Sequence, residues 1–322
     1  MKNQPDFKTL AIFPNIVSVS VLRGECPCRC VHCPVGVIKP EWRAEHFGKQ
    51  SMTLDLFKQI SVEIAQFKQS AIRIHAVGEP LLWSELDEAV GFLNQHHVKS
   101  WLFTCAITRN RHILRRICEN VSIIEVSVNA TNQADYLSTK GVDAFDLVAE
   151  NIEYMSDYIK THRLPTILLL SRVQTTDEQS DRQFITYWTE KKLADDVFIR
   201  VYHNYNDLLE VREVNIKKPC WALWARASVD CDGTMVSCFN ELFKRYTPDV
   251  ILGKIDRDTS IQHVWQGEKL QKIRACDEKG DFSELDFEVP CMYCKTCQPI
   301  DTSRVTSEKQ LVASTKKISL YD

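Results

Sequence analysis

The sequence predicts an α/β protein: a parallel sheet, curled into a partial barrel or left open and doubly wound, followed by a small cysteine-rich unit of β-hairpin and helix. Three observations carry this expectation. Short apolar segments rich in β-branched residues alternate with amphipathic helical stripes up to about residue 205. Beyond Asn206 the helical stripes thin out. Cysteines return there, around a turn at Asp232–Gly233 in VDCDGTMVSCF that reads as a hairpin.

The strand candidates, in order, are Ile16–Val21, Ala71–Ala76, Val98–Thr104, Ser122–Val128, Thr166–Val173 and Val197–Tyr202. Their apolar character is that of strands buried on both faces. The first helical stripe is Leu54, Phe57, Ile60, Ile64 and Phe67 behind an N-cap at Thr53. The second has Ser84 as its cap, with Leu86, Val90 and Leu93 on one face. Phe145, Val148, Ile152, Met155 and Ile159 form another. These stripes read as core. In either version of the sheet, chemistry belongs at the carboxyl ends of the strands. The expected division is a lead over 1–13, the α/β unit over 14–206, the cysteine-rich unit over 207–298 and a polar tail over 299–322.

The chain has 322 residues and a net charge of −3, which gives no reason to expect a nucleic acid or an anionic membrane as partner. The N-terminal residues lack a signal-peptide pattern, and no run is long enough to span a membrane, so a cytoplasmic protein is expected. Its thirteen cysteines are many for a reducing compartment, and they cluster, which suggests metal ligation rather than disulfides. Cys26, Cys28, Cys30 and Cys33 follow the first strand; Cys291, Cys294 and Cys297 form a second group; Cys220, Cys231 and Cys238 form a looser third. Cys105 and Cys118 read as small buried residues.

Cys26, Cys30 and Cys33 are spaced C-x3-C-x2-C. Three thiolates on one loop can hold three irons of a cubane and leave the fourth open to a ligand. With Cys28 included, subsets of the same cysteines would also suit zinc. This segment resembles the signature of the radical S-adenosylmethionine superfamily, with His32 where an aromatic residue usually stands. The resemblance implies a partial (β/α)6 barrel, a [4Fe–4S] cluster on Cys26, Cys30 and Cys33, and S-adenosylmethionine bound at its open iron. It further implies that Gly78-Glu79-Pro80, at the end of the second strand, contacts the methionyl ammonium. Ser127 and Asn129 would contact the ribose hydroxyls. Arg172 would pair with the cofactor carboxylate or the substrate, and a structural ion pair is its alternative.

The pattern Cys220-x12-Gly233-x4-Cys238, followed later by Cys291-x2-Cys294, resembles the SPASM and twitch extensions of these enzymes. It implies an auxiliary [4Fe–4S] cluster on Cys220, Cys238, Cys291 and Cys294, with Cys297 able to replace one ligand. Cys231 and Cys276 are candidates for a second. The nearest pattern is that of the twitch dehydrogenases of aminoglycoside biosynthesis. The implied reaction is reductive cleavage of S-adenosylmethionine to a 5′-deoxyadenosyl radical, hydrogen abstraction from substrate, and return of an electron to the auxiliary cluster.

The early position of the first cysteine favours a small-molecule alcohol, such as a cyclitol, sugar or nucleoside, over a peptide. Peptide or protein maturation is the alternative, and a non-catalytic zinc or electron-transfer protein is the rival from another class. A flavodoxin- or ferredoxin-type donor would supply the electron. Candidates for the catalytic base are Arg172, His203, Tyr202, Asn240 and Glu241.

Overall fold

The structure, a computed structural model, describes residues 11–212 and 219–295. Six strands, β1 (Ile16–Arg23), β2 (Ala71–Val77), β3 (Ser100–Thr104), β4 (Ile123–Ser127), β5 (Ile167–Val173) and β6 (Asp196–Arg200), pair in parallel, each beside its sequence neighbour. An unbroken β1-to-β6 order contains no reversal, so right-handed crossovers place every helix on one side. That decides for the partial barrel over the doubly wound sheet, whose order must reverse.

The C-terminal hairpin joins the same sheet. Its strands β7 (Arg226–Val229), β8 (Thr234–Val236) and β9 (Ile251–Lys254) extend the same sheet beyond β1, giving the order β6-β5-β4-β3-β2-β1-β7-β8-β9. β7 runs parallel to β1, from Ile16 opposite Arg226 to Val19 opposite Val229. The reason is the open edge of β1, whose backbone groups need partners when buried. The turn at Asp232–Gly233 forms as expected, with Gly233 at φ +88° and its amide donating to the Asp230 carbonyl.

The helices bury the anticipated stripes. In α1 (Leu54–Ala65) the Thr53 hydroxyl accepts from the Leu56 amide, and Phe57, Ile60 and Ile64 are buried. In α2 (Leu86–Gln95) the cap position falls on Glu85, which caps nothing with its side chain; Ser84 instead donates to Glu85. In α3 (Phe145–His162), Phe145, Val148, Ile152, Met155 and Ile159 pack inward. Each such aliphatic or aromatic side chain contributes about 1.5–3 kcal/mol on burial.

The opposite face of the sheet is where the sequence expectation of doubly apolar strands fails. At period two it carries Ser18 and Ser20 on β1, Arg73 and His75 on β2, Glu125 and Ser127 on β4, Arg200 on β6 and Arg226 on β7. All but Arg200 are buried. A polar concave face inside an apolar shell positions the site. Among the described residues, no helix is long and apolar enough to cross a membrane.

Candidate functional site

The loop after β1 is fixed from three directions. Arg43, itself buried, donates to the carbonyls of Cys26 (2.7 Å), Cys28 (2.8 Å) and Ile38 (3.1 Å). The Arg29 and Val31 amides bond the Lys140 and Thr139 carbonyls at the end of α4 (Gln133–Lys140). The Glu79 amide donates to the Glu25 carbonyl at 2.8 Å, joining the Gly-Glu-Pro turn to the cysteine loop. A Cβ on Gly78 would stand 2.2 Å from that same carbonyl, so only glycine permits the approach.

Gly36 is under the same constraint. A Cβ there would lie 2.2 Å from the Cys30 carbonyl oxygen and 2.4 Å from its nitrogen. Gly36→Ala is therefore expected to displace Cys30 and lower the iron taken up on reconstitution, while circular dichroism and the rest of the fold survive. Iron analysis of the reconstituted variant, compared with wild type, checks this.

Cys26, Cys30 and Cys33 line one cavity together with Gly78, Glu79, Pro80, Ser127 and Lys140. The Cys28 hydrogen bond and the Lys140 charge hold the Cys30 thiol well below its ordinary value against the effect of burial. A thiolate is the ligating form. Cys28 is pushed the other way, first by its hydrogen bond to Cys105, and stays a thiol. Cys105 thus belongs to the site: it packs with Cys28 and Cys30 and lines the cavity. Among the described residues no three His, Cys, Asp or Glu side chains gather closely enough for one metal ion. Cys26, Cys28, Cys30, Cys33 and Cys105 all line the one cavity.

The expected cofactor contacts divide. Glu79 is buried in the cavity wall, and its carboxylate already accepts from Thr104 Oγ1 (2.5 Å), the Cys105 amide (2.8 Å) and the Leu81 amide (3.1 Å). With about four lone-pair sites on a carboxylate, one remains for an ammonium. Ser127 lines the cavity and accepts from Lys140 Nζ at 3.2 Å. Asn129 does not line it. At φ +62° it latches β4 to β5, its side chain donating to Ser127 Oγ and accepting from the Val173 amide.

Arg172 is corrected as well. Its buried guanidinium is engaged by Asp135 (2.9 Å), Asp181 (3.1 Å), Ser180 and the Asn129 carbonyl, outside the cavity lining. The structural ion pair is the role it fills. The cation that does face the thiols is Lys140. Burial disfavours its charge, but the neighbouring thiol groups, Cys30 foremost, outweigh this and hold it above its ordinary value. Only its place at the end of α4, brought against the loop, identifies it.

The second cysteine group converges too. Cys220 precedes the short helix Trp221–Ala225, Cys238 follows β8, Cys291 lies within the turn Pro290–Met292 and Cys294 follows it. Burial raises the thiols of Cys238 and Cys291; Cys238 also feels Cys294 and Cys220, and Cys291 feels Cys220, Cys238 and Cys294. Asp277 fixes Cys220 by accepting its amide at 2.8 Å. These four could hold a fully ligated cluster. Cys231 and Cys276 are instead buried in the apolar core and supply no second set; Cys297 lies outside the described residues. Cys220, Cys238 and Cys294 line the same cavity as the first thiols.

Of the candidate bases, His203 and Asn240 line the cavity. Glu241 is buried away from it, accepting from Asn206 at 2.7 Å and pairing with Lys244. Tyr202 donates to the Glu210 carbonyl and is likewise absent from the lining. His75, which the sequence reading passed over, faces the cavity; alternation with Arg73 along an otherwise apolar strand was its available signal. Burial and the arginines Arg226, Arg200 and Arg73 push His203 down to about 4.

In the unfolded chain His203 would titrate near 6.5. The unfolded state therefore binds more protons as pH falls below that value, and the stability present above 6.5 is lost toward 4. His203→Gln is expected to flatten stability against pH in this window by up to about 1.4 kcal/mol per pH unit. Denaturant titrations between pH 6.5 and 5 read that slope.

With this geometry in place, comparison with known proteins is informative. Residues 220–298 match the model of SPASM, an iron–sulfur cluster-binding domain. A search of curated protein sequences finds no match. Among solved structures, the fold is similar to Streptococcus suis SuiB bound to precursor peptide SuiA, with TM-score 0.64 and 12% identity over 84% of this chain and 69% of that one. It is similar to BtrN in complex with AdoMet and 2-DOIA, with TM-score 0.55 and 16% identity over 92% and 97%. It is also similar to anSMEcpe with bound AdoMet, with TM-score 0.60 and 13% identity over 95% and 96%. Two of these structures hold AdoMet and the third a precursor peptide. The resemblance drawn from the cysteine motifs thus extends to the fold and to the C-terminal domain.

Proposed function

We propose that this chain is a radical S-adenosylmethionine oxidoreductase that removes two electrons from a small-molecule alcohol. The observation that carries the reading is one cavity lined by Cys26, Cys30 and Cys33 at one side and by Cys220, Cys238 and Cys294 at the other. When bound, the first cluster with S-adenosylmethionine supplies a 5′-deoxyadenosyl radical to take the hydrogen atom, and the auxiliary cluster supplies an acceptor for the second electron.

The chain's own residues do the rest. Lys140 and Ser127 offer donors to the cofactor's carboxylate and hydroxyl oxygens, and the remaining acceptor capacity of Glu79 suits its ammonium. The aromatic walls Phe103, Phe239 and Phe243 exclude water from the reacting carbon. His203, held neutral, takes the alcohol proton. The hydrogen atom, the proton and the electron then each have a destination.

Anaerobic reconstitution of the full chain tests this. A brown protein with about eight irons that releases 5′-deoxyadenosine from S-adenosylmethionine supports the reading. A colourless zinc protein, or one inert toward S-adenosylmethionine, defeats it. Turnover of a peptide rather than an alcohol would assign the same site to peptide modification, the reading that likeness to SuiB with its precursor peptide favours.

A further inference from the structure

At its first-cluster end the cavity is lined by Cys26, Cys28, Cys30, Cys33 and Cys105, whereas a [4Fe–4S] cluster has four irons to bind. Cys28, Cys30 and Cys105 pack together, with Cys26 and Cys33 against them. Cys26, Cys30 and Cys33 are the ligands that the spacing assigns. That leaves Cys28 and Cys105, two thiols at the site that the reaction outlined above does not use.

The two differ in how the backbone holds them. Cys28 lies between Cys26 and Cys30 on one loop, and its carbonyl is gripped by Arg43 at 2.8 Å. Successive ligands supplied by one loop to one cluster stand two or more residues apart. Cys28 is a single residue from a ligand on either side, which leaves it little freedom to reach the remaining corner of the same cubane.

Cys105 arrives from elsewhere in the fold. It directly follows β3, is 6% exposed and lines the cavity. Its amide donates to the Glu79 carboxylate at 2.8 Å, and the Thr104 hydroxyl donates to the other oxygen at 2.5 Å. Glu79 is the carboxylate whose remaining capacity suits the cofactor's ammonium, so Cys105 is tied to the place where S-adenosylmethionine meets the open iron. The next residue, Ala106, stands at φ +56°. This left-handed conformation is held by the Thr104 hydroxyl on its amide (2.9 Å) and by the Asn151 side chain on its carbonyl (2.8 Å). Backbone kept in a sparsely populated region by surrounding bonds is typical of ligand sites, and here it fixes how Cys105 leaves the strand.

We propose that Cys105 is a reserve ligand of the first cluster: its thiolate takes the open iron while S-adenosylmethionine is absent and yields it when the cofactor binds. This rests on the radical-enzyme reading above. In the exchange the iron–sulfur bond to Cys105 breaks, a bond from that iron to a donor atom of the cofactor forms, and the released thiolate takes a proton from solvent. No electron moves. Thiolate is a good ligand for cluster iron, so Cys105 retains the fourth iron in the cofactor-free enzyme and lowers the apparent affinity for the cofactor.

The test reads cofactor binding and iron loss on the anaerobically reconstituted full chain. A thiol that caps about nine clusters in ten weakens apparent binding about tenfold. Cys105→Ala is therefore expected to bind S-adenosylmethionine about tenfold tighter by calorimetry, and Cys105→Ser to return part of the way to wild type. A residue that only packs would loosen the cofactor when truncated. Without cofactor, ferricyanide is expected to convert the first cluster of Cys105→Ala to the three-iron form faster than that of wild type, as read by electron paramagnetic resonance. Cys28→Ala is expected to follow wild type in both measurements. Unchanged or weaker binding with unchanged iron loss in Cys105→Ala overturns the proposal, and so does a gain in affinity that appears in Cys28→Ala instead. Should Cys105→Ala fail to take up the cluster, Mössbauer spectra of iron-enriched wild type decide. One iron that becomes distinct only on adding S-adenosylmethionine supports the cap, and one already distinct without it overturns the cap. Failure of the radical reading would show separately, as absence of 5′-deoxyadenosine from wild type.

Discussion

Replacing Cys26, Cys30 or Cys33 singly with alanine is expected to remove about four irons per chain and to abolish release of 5′-deoxyadenosine, whereas Cys28→Ala leaves both. The four thiols lie within eight residues, so spacing alone does not rank them. Their surroundings separate Cys30 from Cys28. Cys30 is drawn toward the thiolate by Cys28 and Lys140, while Cys28 is held as a thiol by Cys105 at its side. Arg43 grips the backbone of Cys28 through its carbonyl, a contact that alanine preserves. Iron content, the visible absorption of the reconstituted protein and the electron paramagnetic resonance of its reduced form read the outcome. A Cys28→Ala protein lacking the first cluster would show that the three ligands were chosen wrongly.

The largest expected effect on stability lies where the hairpin joins β1. Arg23, at the end of β1, meets Asp230, just after β7, at 2.5 Å, with both side chains nearly inaccessible. Tyr246 adds a hydrogen bond to the same carboxylate at 3.0 Å, and Arg23 also reaches the Phe47 carbonyl. Breaking a buried pair on one side leaves an uncompensated charge, a loss of about 3–5 kcal/mol. Asp230→Ala is therefore expected to lower the denaturant midpoint strongly, and the double variant Arg23→Met/Asp230→Leu to recover a large part of that loss. Burial outweighs Arg23 and raises the Asp230 carboxyl above its ordinary value. Its contribution is thus greatest below the unfolded pKa and declines as pH rises through the folded one. An Asp230→Ala protein as stable as wild type would mean that the hairpin is secured by β1–β7 pairing alone.

Local pattern was enough for much of this molecule. The six parallel strands, the apolar helix stripes, the Thr53 cap and the hairpin turn all follow from periodicity and turn chemistry, which act over a few residues. The first cysteine group was legible because its candidate ligands stand at short fixed spacings, and the second because its longer pattern resembles that of a known extension. The uninterrupted strand order, and with it the choice of barrel over doubly wound sheet, was not, since periodicity carries no information about which strands adjoin.

The rest was decided by contacts between distant segments. The first cysteine group was assigned from C-x3-C-x2-C together with Gly78-Glu79-Pro80 and the strand end Ser127/Asn129. Tertiary packing set Cys105 against Cys28, turned Lys140 toward the thiols, and committed Arg172 to Asp135 and Asp181 and Glu241 to Asn206. A charged side chain has no preferred partner along the chain, and its role is fixed by whichever opposite charge or cavity the fold brings near. The same applies to Arg73, His75, Arg200 and Arg226. They lie on three strands, β2, β6 and β7, and only the curling of the sheet around one space makes them a common lining between two sets of cysteines.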